Sequence, residues 1–192
     1  MRIVPGILAR SAKEFSRQAK CVAWASKVHV DVMDGKFVRQ KTSQGKISTS
    51  VQFHLMVRDA QKYLRGKEII VHAESKSPLV ILKNAKTKGL RAGIAFNPET
   101  SVIRELINAA DFALVMTVNP GRSGQKMLRN ALKKIKLIKK LKRISVGVDG
   151  GINFSTILAA KKAGADFVVA TSAVTLAKDP RKAFKELKKL CR

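Results

Sequence analysis

The sequence predicts a closed parallel barrel of alternating strands and helices, a (β/α)8 fold of the TIM type trimmed close to its minimum size. Three observations predict it. Eight short runs rich in Val, Ile, Leu and Ala recur along the 192 residues. Amphipathic helical patterns lie between most of them. No linker, low-complexity tract or composition break divides the chain, which is expected to form one domain over residues 1–192. Alternation of this kind calls for a parallel sheet, doubly wound or closed, and eight strands is the number that closes a barrel. Such barrels rarely fall below ~200 residues, so some helices must be short or absent.

The elements follow in order. A first strand at 3–8 leads to a helix over 11–25, which opens on Ser11 and, three residues on, Glu14, the spacing of a capping box. A second strand at 27–33 is followed by 34–50, rich in Lys, Gln, Ser, Thr and Gly and without apolar periodicity. Helix two is therefore expected to be short or missing. After a third strand at 51–57, the helix near 60–65 has barely two turns. Strand four, 68–73, precedes a helix over 77–88 with Pro78 in its first turn and Gly89 behind it. Strand five, 91–96, precedes 101–108. Strand six, 112–118, precedes 125–141, where Met127, Leu128, Leu132, Ile135, Ile138 and Leu141 fall at helical spacing. Strand seven, 144–149, precedes 153–163, ended by Gly164. Strand eight, 167–170, precedes 179–190 with Pro180 at the first helical position.

Aromatic residues are only 5% of the chain, so Val, Ile, Leu and Ala must build the core. Cys21 and Cys191 form no metal-binding or disulfide framework, and no run is apolar enough to span a membrane. A reducing, cytoplasmic setting is expected. Against 13 Asp and Glu stand 39 Lys and Arg, a formal net charge of +26. Residues 129–143 hold eight Lys and Arg with no acid. Solvated outer helix faces explain this best. Nonspecific nucleic-acid binding is the alternative, but one Trp and one Tyr make poor stacking platforms. The charge could also steer an anionic substrate.

Chemistry in such a barrel sits at the C-terminal strand ends. Strand two carries His29 and Asp31, two apart and so on one side. Strand three ends with His54, and strand seven with Asp149. Carboxylates are scarce here, and a buried unpaired charge is costly. Two imidazoles and two carboxylates converging on one point suit a divalent Zn, Mn, Fe or Co ion. Gly121, Arg122, Ser123 and Gly124 lie in a turn that opens the helix after strand six; Gly150 and Gly151 follow strand seven, and Thr171 and Ser172 follow strand eight. Turns of this kind can cradle phosphate through backbone N–H groups. Together they point to a phosphorylated small molecule.

The segments VHVDVMDGKFV, QFHLMV, IIVHAES, AGIAFNP, VMTVNPGRSGQK, VDGGI and GADFVVATSAV, in this order over nearly the whole chain, resemble the ribulose-phosphate 3-epimerase family. The resemblance implies a (β/α)8 barrel that interconverts ribulose 5-phosphate and xylulose 5-phosphate with one divalent metal ion. It implies His29, Asp31, His54 and Asp149 as ligands, Asp31 and Asp149 as the acid/base pair, and His54 also at the substrate. Met33, Met56 and Met116 match methionines beside the metal. Gly121, Arg122, Ser123, Gly124, Gly150, Gly151, Thr171 and Ser172 match phosphate-binding loops, and His72 a structural or supporting position. Inversion at C3 needs a proton removed from one face and returned to the other, which two flanking carboxylates can do. A cation at the C2 and C3 oxygens would stabilise the enediolate.

The chain departs from the family pattern in places. Gly6 stands where the family carries Ser, Arg122-Ser123 where it carries Phe-Gly, Thr171 where it carries Gly before Ser, and Arg39-Gln40 where it carries Pro-Asn. A Cβ at Thr171 is expected to crowd the phosphate. These departures keep two alternatives open: an epimerase of a ketohexose 6-phosphate such as allulose 6-phosphate, and a non-catalytic basic barrel that binds nucleic acid. A homo-oligomer is compatible with the family, although loss of helix two would alter its contacts.

Overall fold

The computed structural model describes residues 1–191. Eight parallel strands pair in chain order and the eighth returns to the first, closing a TIM-type barrel. They are β1 (Arg2–Ile7), β2 (Lys27–Met33), β3 (Ser50–Met56), β4 (Glu68–His72), β5 (Arg91–Phe96), β6 (Phe112–Met116), β7 (Ser145–Asp149) and β8 (Phe167–Ala170). The helices outside it are α1 (Ala12–Cys21), α2 (Pro78–Thr87), α3 (Arg104–Ala109), α4 (Lys133–Leu141), α5 (Ile157–Lys162), α6 (Ser172–Thr175) and α7 (Pro180–Leu190). Among the described residues none of them is long and apolar enough to cross a membrane.

Strand parity builds two cores. Alternate side chains Val4, Ile70, Ala95, Phe112, Leu114, Met116, Phe167 and Val169 fill the barrel interior. Their neighbours, such as Val30, Leu55, Ile69, Val71, Ile94 and Val148, face the helices. Two of the few aromatic rings occupy the interior because glycines face them. A Cβ on Gly93 would lie 2.5 Å from the Phe112 ring, and one on Gly147 would lie 2.2 Å from the Phe167 ring.

The helices follow the sequence signals where caps are strong. Ser11 accepts from the Glu14 N–H, and the Glu14 carboxylate accepts from the Arg10 N–H, which fixes the start of α1. Asp179 accepts from the Lys182 N–H and starts α7, ahead of Pro180. Between β2 and β3 no helix is present among the described residues. An isolated bridge, Asp34 to Lys41, and hydrogen bonds of Thr42 with Met33 and the Asp31 carbonyl tie that crossover to the end of β2. After β3 only a 3₁₀ turn, Ala60–Tyr63, takes the helix position.

Most helices are shorter than predicted: α1 ends at Cys21 and not at 25, α3 starts at Arg104 and not at 101, and two others start four or more residues late. The expected helix at 125–141 begins as a 3₁₀ turn at Arg129–Leu132 and becomes α-helical only in α4. Upstream, the Gln125 amide donates to the carbonyls of Asn119 and Arg122, and the Leu128 N–H reaches the Thr117 carbonyl at 2.7 Å. These bonds hold 125–128 over the end of β6, so the Gly121–Gly124 turn does not open directly onto a helix. In the expected helix at 153–163, the Asn153 side chain accepts from the N–H groups of Ser155 and Thr156, and α5 starts at Ile157. The short α6 directly after β8 gives no periodic signal at four residues.

Register places the chemistry. β2 and β3 pair over their whole length, with His29 beside Gln52, Asp31 beside His54 and Met33 beside Met56. Gly6 of β1 lies beside His29, and Met116 of β6 beside Asp149.

Candidate metal centre and active site

His29, Asp31, His54 and Asp149 converge inside the C-terminal mouth, with one ligand atom from each lying within 4.8 Å of the others. Both imidazoles are fully buried. His29 Nε2 is 3.3 Å from Asp31 Oδ1 and 3.9 Å from Asp149 Oδ2. His54 Nδ1 is 3.0 Å from the same Asp31 oxygen and 3.7 Å from Asp149 Oδ2. His29 Nε2 is buried without a hydrogen-bond partner among the described residues. An orphaned imidazole nitrogen facing a second nitrogen and two carboxylates is a donor set that fits a divalent cation.

The second nitrogen of each ring is occupied. His29 Nδ1 meets Gln52 Oε1 at 2.7 Å, and the Gln52 amide donates to Glu68. Glu68 in turn accepts from Lys27 at 2.7 Å and Arg91 at 3.0 Å. An amide that donates to a carboxylate must turn its oxygen to the imidazole, so neutral His29 carries its proton on Nδ1 and bares Nε2 to the centre. His54 Nε2 meets His72 Nε2 at 2.8 Å, and His72 Nδ1 meets Glu74 at 3.1 Å. The Glu74 carboxylate also accepts from the Asn97 N–H. It accepts a hydrogen bond from His72 Nδ1–H, so His72 Nε2 accepts one from His54 Nε2–H and His54 Nδ1 is bare. Two carboxylate-ended chains thus fix both tautomers, the support that metal-binding histidines need.

Charge is distributed unequally. Burial would raise Asp31, but hydrogen bonds and attraction from His29 and His54 hold its carboxyl far below the usual range. Burial and the neighbouring Asp31 charge push Asp149 up to about 7. For His29, burial is outweighed by Asp31 and Asp149, which raise it to about 9. For His54, burial together with His72 and His29 overcomes Asp31 and lowers it to about 3. The two carboxylates at one site are therefore shifted in opposite directions, Asp31 toward the ionised and Asp149 toward the protonated form.

Above this cluster lies a cleft open to solvent. Asp31 and Asp149 form its base, Met33, Met56 and Met116 its apolar wall, and the predicted loop residues its rim. Gly121, Arg122, Ser123, Gly124, Gly150, Gly151, Thr171 and Ser172 all line it, with His29 and His54 buried beneath. Gly150 and Gly151 need to be glycine. Their φ values are 104° and 64°, and a Cβ would meet Val118 at 2.4 Å and the Met127 backbone nitrogen at 2.7 Å. Gln40 lies against the neighbouring turn, its side-chain oxygen 2.7 Å from where a Cβ on Gly121 would stand.

Sequence reasoning finds the four cluster residues but misses Gln52, Glu68 and Glu74. The available signal was polarity at inward positions. Gln52 lies two before His54, and Glu68 four before His72, in otherwise apolar strands.

Comparison with known proteins bears on the fold and the family. Among solved structures, 3-hexulose-6-phosphate synthase superposes with a TM-score of 0.70 over 100% of both chains at 18% identity. Thiamine phosphate pyrophosphorylase from Pyrococcus furiosus gives 0.65 at 17% identity, over 99% of this chain and 95% of that one. At these identities they establish the barrel fold alone. Ribulose-phosphate 3-epimerase of Bacillus subtilis is 34% identical over 98% of both chains. That of Helicobacter pylori is 34% identical over 97% of this chain and 96% of its own. The sequence pattern of the family described as ribulose-phosphate 3 epimerase matches residues 2–175, and the chain belongs to that family.

Proposed function

We propose that this chain is a metal-dependent ribulose-phosphate 3-epimerase of the cytoplasm that interconverts D-ribulose 5-phosphate and D-xylulose 5-phosphate. The observation that carries the reading is the convergence of His29, Asp31, His54 and Asp149 on one point, with both carboxylates at the base of one cleft. Asp31, as carboxylate, removes the proton from C3. Asp149, as carboxylic acid, returns one from the opposite face, and the reverse reaction exchanges the roles. His29, Asp31, His54 and Asp149 would hold one divalent ion. That ion supplies Lewis acidity where charge develops on the substrate oxygens beside C3. Met33, Met56 and Met116 exclude water from the reacting carbon. Backbone N–H groups of the Gly121–Gly124, Gly150–Gly151 and Thr171–Ser172 turns receive the phosphate, with Arg122 at the rim as an added cation. No observation favours a hexose phosphate or a nucleic acid as the ligand.

The test is epimerisation of ribulose 5-phosphate by the purified protein before chelation, after chelation, and after restoring Zn, Fe, Mn or Co singly. Turnover lost on chelation and regained with a metal is expected, and Asp149→Asn is expected to abolish it without unfolding the chain. Full activity in Asp149→Asn would end the two-carboxylate mechanism.

A further inference from the structure

Gly6 and Thr171, two positions at which the chain departs from the family pattern, meet at the seam between β1 and β8. Gly6 follows the inward-facing Val4 by two residues on β1, and Thr171 follows the inward-facing Val169 by two at the end of β8. The two strands are neighbours, with Pro5 beside Ala170. A Cβ built on Gly6 would lie 2.0 Å from Thr171 Oγ1, 3.0 Å from Thr171 Cβ and 3.2 Å from Val169 Cγ1. The hydroxyl of Thr171 thus occupies the space into which a side chain at position 6 would project. Gly6 is not among the glycines with positive φ, so sterics at this spot and not backbone conformation require glycine there.

The Thr171 hydroxyl is available to a ligand. The Thr171 carbonyl is engaged by the Val174 and Thr175 N–H groups and by the Thr175 hydroxyl at the start of α6. Its own Oγ1 has no hydrogen-bond partner among the described residues, and the residue lines the cleft with Asp31 and Asp149. Gly6 is paired with His29, so this hydroxyl lies on the strands bordering the cation cluster.

We propose that Thr171 is a substrate-binding, specificity-determining residue, whose side-chain hydroxyl is delivered from β8 into a space that β1 leaves open at Gly6. This rests on the sugar-phosphate reading of the cleft. Its backbone N–H can serve the phosphate while its hydroxyl hydrogen-bonds an oxygen of the sugar phosphate. The two positions form one mutually exclusive unit: a hydroxyl can stand there from either strand, not from both.

A relocation experiment tests this. Thr171→Val removes the hydroxyl and keeps the shape; kcat/KM for ribulose 5-phosphate should fall about tenfold, as should calorimetric affinity for that sugar phosphate. Thr171→Ser should retain wild-type values. Gly6→Ser alone forces two side chains into one space and should lower both activity and the thermal midpoint. Gly6→Ser with Thr171→Gly leaves only the Val169 contact, which a few tenths of an ångström relieves, and should recover the midpoint and come within about threefold of wild-type kcat/KM. Gly6→Ala with Thr171→Gly fits equally well but lacks the hydroxyl and should stay as slow as Thr171→Val. Wild-type rates in Thr171→Val, or a Gly6→Ser double variant no better than its alanine counterpart, overturn the proposal. A wild type that binds ribulose 5-phosphate without turning it over, yet shows the calorimetric pattern, removes the epimerase reading and keeps this one. A wild type that does not bind it removes both.

Discussion

The two histidine supports do the same work with different parts. His29 is backed by Gln52, and the chain runs toward the N-terminal end of the barrel to Glu68, clamped by Lys27 and Arg91. His54 is backed by His72, and the chain runs to Glu74 at the mouth, where it meets Asn97. An amide is a fixed dipole; it orients His29 but cannot take its proton. An imidazole can pass a proton toward a carboxylate, and Glu74, which burial would raise, is held down to about 2 chiefly by His72. One support is therefore rigid and electrostatically closed, the other polarisable and open to the rim. A metal centre needs both ligands aimed, and the fold achieves this by two routes that can be broken separately.

Asp31 is where the two supports meet, since one oxygen faces both His29 and His54. Asp31→Asn should therefore have the largest effect, lowering kcat by about 10³–10⁴-fold, read in a coupled epimerase assay. A loss below tenfold would mean that the supports serve metal binding alone. Breaking one support at a time comes next. Gln52→Leu and His72→Phe should each weaken metal affinity by about 10–100-fold, measured by competition with a chromophoric chelator. The cobalt absorption spectrum should change in both. Unchanged affinity in either variant would show that its histidine is held by packing.

Titration separates the supports from their ligands. Cation binding must displace the Nε2 proton of His29, raised to about 9. Asp149, pushed up to about 7, can ligate through one oxygen and keep a proton on the other, so the pH interval up to about 9 is the one that matters. Affinity should rise with pH across that interval, by up to about tenfold per unit for each proton released. A flat profile between pH 6 and 9 would contradict this. Stability follows the same linkage. The raised Asp149 favours the folded state fully below its ordinary carboxyl range, and this contribution is lost as pH rises toward 7. Asp31, held low, contributes above that range, and its share is lost as pH falls. The smallest effect is expected at the far end of the His29 support. Lys27 is partly exposed and Arg91 still holds Glu68, so Lys27→Met should cost about 1 kcal/mol or less by urea unfolding.

The strands were legible because inward and outward residues alternate and because β-branched runs are short and well separated. All eight appear within a few residues of their predicted limits. His29, Asp31, His54 and Asp149 were legible because charged or polar groups at strand ends stand out in apolar runs. Gln52 and Glu68 were not, since their partnership exists only after β2, β3 and β4 settle into register. The start of α4 was misread for a related reason. Met127 and Leu128 have helical spacing, yet the Leu128 N–H is taken by the Thr117 carbonyl, a long-range bond that periodicity does not register. That the Thr171 hydroxyl stands in the space left by Gly6 was not legible either, because β1 and β8 become neighbours only when the barrel closes.

On α4 the buried Ile135 and Ile138 alternate with Lys133, Lys136, Lys139 and Lys140, all turned outward. Of these four, Lys139 alone has a carboxylate partner among the described residues, Asp166. On α7 the cations Arg181, Lys182, Lys185, Lys188 and Lys189 are likewise exposed. A shell so uniformly positive repels itself, and folding draws its charges closer together. Dissolved anions must therefore gather around the folded molecule more densely than around the open chain. For most proteins dissolved salt is background, but for this one its counterion atmosphere forms part of what keeps the barrel closed.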